Sequence, residues 1–104
     1  MKSWHREMPE GLYYVLKDHE VVPAKDLFEW AYFFEKPDRL LFHNMLFKDR
    51  VRVSTVFIGI YENLFETMIF GGKYNGEQWR CDTWEQAEAQ HVHAITVARG
   101  KAKP

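Results

Sequence analysis

LLFHNMLFKDRVRVSTVFIGIYENLFETMIFGG, running from Leu40 to Gly72, decides how this chain folds. It is dense in β-branched and aromatic residues and broken twice by polar pairs, Lys48-Asp49 and Glu62-Asn63. Three strands in a meander are predicted: Leu40 to Phe47, Val51 to Ile60 and Leu64 to Phe70. Side chains alternate across a strand, so the turns set which residues share a face. Closing the first hairpin at Lys48-Asp49 places Asn44 opposite Val53, and closing the second at Glu62-Asn63 places Phe57 opposite Met68. In that register Thr55, Phe57, Gly59, Glu66, Met68 and Phe70 lie on one face, and Phe65, Thr67 and Ile69 on the other. Both faces then come out largely apolar, whereas a sheet with one wet side reads as polar there. Two short helices cover one such face. The other is expected to need the first hairpin, the N-terminal segment or a second molecule, most simply another copy of the same chain.

Upstream, Tyr13 to Leu16 and Val21-Val22 flank a turn at Lys17 to Glu20, which predicts a short hairpin. Asp26 followed by Glu29 is a capping-box pattern, and Leu27, Trp30, Ala31 and Phe34 continue it at helical spacing until Lys36-Pro37. Phe28 and Tyr32 form a second stripe, so this helix, about Asp26 to Glu35, is expected to be well covered. Downstream come a Gly-rich loop at 71–76, an edge strand from Gln78 to Asp82, and a helix capped by Thr83 with Gln86. Its stripe is Trp84, Ala87, His91, Ala94, Ile95 and Ala98. The expected class is α+β: an antiparallel sheet of four to six strands, the meander plus an N-terminal hairpin, with two helices. One domain over residues 1–104 is expected, poorly ordered at 1–10, where Trp4 is the large apolar anchor, and at 100–104.

A formal charge of −1 supplies no global positive field, so neither nucleic acid nor an anionic membrane is an expected partner. The basic tail of Arg99, Lys101 and Lys103 reads as a solvated end. One cysteine, Cys81, cannot form an internal disulfide, which fits a reducing cytoplasm, and no apolar run reaches membrane-spanning length. Eight Phe, five Tyr and four Trp are many for 104 residues. Either the core is aromatic or aromatics face a partner.

The search for chemistry finds little. His91 and His93 on a helix point about 200° apart, and neither Cys-x-x-Cys nor His-x-x-x-His occurs, so no metal or other cofactor is expected. No nucleophile elbow, phosphate-binding Gly loop or dinucleotide fingerprint is present. Cys81 beside Arg80 is a thin case for an activated thiol. Glu66, placed beside the hollow at Gly59, wants a partner, and Arg80 is the candidate, with Thr55 and Trp84 nearby. The pair either binds a ligand's polar group or simply satisfies itself. No catalytic residue is assigned. The candidate partner- or ligand-binding set is Thr55, Phe57, Glu66, Met68, Phe70, Arg80, Trp84 and His91.

At Val53-Ser54-Thr55-Val56-Phe57-x-Gly59, Leu64-Phe65-Glu66-Thr67-Met68-x-Phe70-Gly71-Gly72 and Arg80-x-x-Thr83-Trp84-Glu85-x-Ala87-Glu88-Ala89-x-His91, the chain resembles a widespread family of small phage and prophage proteins. The likeness covers roughly the last half. Members carry a longer Gly/Pro-rich loop between the central strands, where this chain turns directly at Tyr61-Glu62-Asn63. The resemblance implies a phage origin and an accessory role, with no established activity, cofactor or active site. With the two apolar sheet faces and the surplus aromatics, the function expected is non-enzymatic: binding of a host macromolecule, a protein before a nucleotide, in the host cytoplasm through an apolar sheet face and its aromatic rim, as in host takeover or counter-defence, by a homo-oligomer. The alternative is a nucleotide-sequestering protein, with Trp79, Trp84 or Tyr74 stacking on a base and Arg80 and Lys73 meeting phosphate. A second alternative is a small hydrolase using Glu66 with His91 or His43.

Overall fold

The computed structural model describes residues 11–104, so the expectations for 1–10, Trp4 included, lie outside the described residues. The fold is α+β. In chain order it runs β1 (Tyr14–Lys17), β2 (Glu20–Pro23), α1 (Leu27–Phe34), a 3-10 turn (Pro37–Arg39), β3 (Leu40–Leu46), β4 (Val51–Ile60), β5 (Asn63–Phe70), β6 (Gln78–Cys81) and α2 (Trp84–Ala98). β1 and β2 form an antiparallel hairpin, and β3 to β6 form an antiparallel meander in sequence order.

Local chemistry explains most boundaries. Asp18 and His19 both sit in the left-handed region (φ 51° and 71°), the geometry of a two-residue turn that matches the twist of its strands. Asp26 caps α1 by accepting the Glu29 N–H at 2.8 Å, while the Glu29 carboxylate accepts the Lys25 N–H at 2.6 Å. α2 repeats the device: Thr83 accepts the Gln86 N–H at 3.1 Å, and Gln86 Oε1 accepts the Asp82 N–H at 3.0 Å.

The first meander hairpin has the expected register, with Asn44 opposite Val53. The second does not. Phe57 pairs with Phe65 rather than Met68, Thr55 with Thr67, and Val53 with Ile69. The turn falls on Tyr61-Glu62, with Glu62 at φ 67°, and β4 then bulges at Ile58-Gly59 before regular pairing resumes. One extra residue reverses which side chains share a face. Gly59 permits it: φ is 76°, and a Cβ there would collide with the Tyr14 carbonyl oxygen and approach the Phe57 ring to 2.8 Å.

The expectation of two equally apolar faces is therefore overturned. Val51, Val53, Thr55, Phe57, Phe65, Thr67 and Ile69 are all buried on the side that α2 covers. Glu66, Met68 and Phe70 project from the opposite side, among Arg52, Ser54 and Val56, a mixed surface.

α2 buries Ala87, His91, Ala94 and Val97, a spacing of four, three and three that keeps them on one stripe. Beneath it lie two apolar clusters. One joins Leu46, Val51, Val53 and Ile69 to Ala94 and Val97, with Ala102 of the tail packed against it. The other joins Phe57, Phe65 and Ala87, with Leu16 and Val21 of the hairpin and Phe33 of α1. Each large side chain enclosed this way contributes about 2 kcal/mol.

α1 departs from its expected cover. It has no buried residue, and Phe28, Tyr32 and Leu27 are 83%, 67% and 49% exposed. Trp30 holds it, donating Nε1–H to the Ile58 carbonyl at 3.1 Å and lying between the Tyr13 and Phe34 rings, while Phe33 meets Phe57 edge-on at 5.7 Å. At about 100° per residue, Phe28 and Tyr32 each point some 200° from Trp30. Docking one stripe leaves the other outside.

Candidate functional site

The eight residues singled out from the sequence divide between the two sides of the sheet. Thr55 and Phe57 lie under α2, and Trp84 and His91 are on that helix; Glu66, Met68, Phe70 and Arg80 lie on the open face. The same bulge separates them, so no single pocket can be lined by both sets.

Between the two apolar clusters runs a polar chain that crosses the whole meander. His91 Nδ1 is 2.7 Å from Thr55 Oγ1, which is 2.7 Å from Thr67 Oγ1. Gln90 Nε2 donates to Thr67 Oγ1 at 2.9 Å and to the Trp79 carbonyl at 3.1 Å. His91 Nε2 is 2.7 Å from Asn44 Oδ1. The Trp79 carbonyl at one end and Asn44 Oδ1 at the other can only accept, which orients the chain from both sides. Both Gln90 amide protons are donated, so Thr67 Oγ1 accepts one of them. Asn44 Oδ1 takes the His91 Nε2–H, so the neutral ring accepts at Nδ1 from Thr55, and Thr55, its hydrogen used there, accepts from Thr67.

That order requires a neutral imidazole. A proton on Nδ1 would turn the Thr55 hydroxyl toward Thr67, which already accepts from Gln90, and leave the Thr67 hydrogen with no acceptor in the chain. Burial, with His43 as a smaller second cause, accordingly pushes the His91 pKa below its ordinary 6.5. Both ring nitrogens are engaged, so His91 is a structural link and has no free lone pair for a substrate. Asn44, Thr67 and Gln90 were not anticipated, because the Thr55–Thr67 pairing appears only in the correct register.

On the open face Glu66 and Arg80 are directly paired across β5 and β6, with Arg80 Nε donating to Glu66 Oε2 at 3.2 Å. The Arg80 partner expected for Glu66 is in place, but the Gly59 hollow, Thr55 and Trp84 are not beside it. Glu66 and His91 are on opposite faces, and β4 lies between β5 and the His43 strand, so neither pairing joins an acid to a base over one atom. Arg52 lies 4.3 Å above the Phe70 ring.

Cys81 is pushed up to about 11, chiefly by burial and then by Asp82, so Arg80 does not activate it and the thiol stays protonated at neutral pH. Trp84 stacks on His19 at 3.6 Å with an interplanar angle of 5°, tying the hairpin to α2, and meets Phe42 edge-on. Trp79 meets His93 edge-on at 5.6 Å. Of the groups considered for nucleotide stacking and phosphate contact, only Lys73 and Tyr74 come together, with the ammonium 5.4 Å from the ring centroid. Among the described residues no three His, Cys, Asp or Glu side chains converge.

Among the described residues the α1 ridge carries the most exposed aromatic side chains, and it was missed because apolar spacing alone cannot tell a docked stripe from a free one. Compared with protein-family models, with curated proteins and with solved structures, the chain matches none.

Proposed function

We propose that the chain is a non-enzymatic binding protein that presents the α1 ridge to a partner protein. The observation carrying this reading is the exposure of Phe28 at 83% and Tyr32 at 67%, one helical turn apart. Aromatic side chains at i and i+4 on one helix face are the anchors by which helices enter apolar grooves. Phe28 and Tyr32 bring large area for few rotatable bonds, and Lys36, 4.5 Å above the Tyr32 ring, supplies a polar margin. The motifs resembling small phage proteins favour a host protein as partner and a host-takeover or counter-defence role in the host cytoplasm. Self-association through the same ridge is the other occupant, and would make the chain a homodimer.

The test compares the wild-type chain with a Phe28→Ala, Tyr32→Ala double variant in pull-downs from host lysate, with native mass measured alongside. A specific protein bound by the wild type and lost by the variant is expected. Equal capture by both chains, or a wild-type dimer that persists in the variant with nothing else bound, overturns the reading.

A further inference from the structure

The end of the sheet remote from α1 holds a cleft of about 310 Å³ between the β3–β4 and β5–β6 loops. Phe47 and Tyr74 contribute aromatic surface, Val51 and Ile69 form the apolar base, and Arg50 and Lys73 carry the charge. No acidic residue lines it, although the chain as a whole is slightly negative.

Two independent features show that this shape is held rather than incidental. Phe47, Lys48 and Asp49 are three consecutive non-glycine residues in the left-handed region, at φ 52°, 55° and 69°. Such a run is strained at every step, and it persists because the Arg50 N–H bonds back to the Leu46 and Phe47 carbonyls at 3.1 and 3.2 Å. Across the cleft, Gly71 and Gly72 lie against Arg50 and Val51 so closely that a Cβ on Gly71 would strike the Arg50 carbonyl oxygen. The Gly71 N–H is pinned by Asn75 Oδ1 at 2.6 Å, and the Gly76 N–H bonds to the Ile69 carbonyl at 2.8 Å. The run of left-handed residues sets out Phe47 and Arg50; the glycine pair sets out Lys73 and Tyr74.

We propose that this cleft binds a small planar anion, an aromatic ring bearing a phosphate group. The rings of Phe47 and Tyr74 supply faces for a flat heterocycle. Two cations unopposed by carboxylates suit a doubly charged phosphate better than a single carboxylate. The volume is at the small end of ligand pockets, which suits one mononucleotide and excludes larger cofactors. The site lies at the opposite end of β4 from α1 and does not depend on the ridge's role.

Titration calorimetry of the full chain with 5′-AMP and 5′-UMP, against adenosine and inorganic phosphate, tests it. Saturable binding of a mononucleotide is expected, at least about tenfold tighter than either fragment. Replacing the exposed pair, Arg50→Ala with Lys73→Ala, is expected to weaken it about tenfold or more with the melting temperature unchanged. Phe47→Gly relieves the strain, so it is expected to raise the melting temperature while weakening binding several-fold. Phe28→Ala with Tyr32→Ala leaves the binding as it was. Failure of both mononucleotides to bind, a fragment binding as tightly as the whole, or indifference to the Arg50 and Lys73 changes each overturns the assignment.

Discussion

The two helices reverse what their compositions suggest. α1 is Leu-Phe-Glu-Trp-Ala-Tyr-Phe-Phe and buries nothing completely; α2 carries Glu, Gln and His among its alanines and buries four side chains. Small residues explain the difference. Ala87 and Ala94 let the α2 backbone approach the sheet closely, so the stripe they define is sealed and even His91 is enclosed. The bulky side chains of α1 hold it off, and it grips through Trp30 and the Phe33 edge. Apolar content measures what a helix can bury, whereas side-chain size and the shape of the receiving surface decide what it does bury.

This contrast can be broken first at the dock of α1. Gly59→Ala forces a left-handed alanine against the Tyr14 carbonyl and brings its Cβ to 3.0 Å from Trp30 Nε1, so hairpin, helix and strand must all shift. A loss of about 3–4 kcal/mol is expected in urea unfolding, with Trp30 becoming solvated in the fluorescence spectrum. At α2, His91→Ala leaves Thr55 and Asn44 without their shared partner and opens a hole, for about 2–3 kcal/mol.

Acid should sharpen the α2 side. The folded His91 pKa is lowered, so below about pH 6.5 the unfolded chain takes up a proton that the folded chain resists. The stabilising contribution is complete above that pH and drains away as pH falls toward the folded value. Urea midpoints at pH 7.5 and 5.5 should diverge more for the wild type than for His91→Gln. The smallest effect belongs to the ridge: Phe28→Ala with Tyr32→Ala should move stability by less than about 0.5 kcal/mol, since alanine is the better helix former and little packing is lost.

Local signals were legible wherever the deciding contacts are close in sequence. Asp26 with Glu29 and Thr83 with Gln86 mark both helix starts, and Lys48-Asp49 marks the turn that sets the first register. The Glu66–Arg80 pair was legible too, because β5 and β6 are neighbours whatever β4 does. The bulge was not. Gly59 inside a strand is a recognised bulge signal, but here it rests on Tyr14 and Trp30, contacts that only the assembled fold creates. The buried relay followed from the register and was hidden with it. Exposure of Phe28 and Tyr32 depended on how much of the sheet's end remained to receive α1.

The strand order has a consequence for how the protein breathes. β4 and β5 each have a neighbour on both edges, whereas β3 and β6 have one. Deuterium should reach the amides of Val53 and Thr67 only when the entire meander comes apart, while those of α1 trade through a brief local detachment. The molecule would then keep two clocks: a slow one at its centre, and a fast one in the helix that carries the exposed rings of Phe28 and Tyr32.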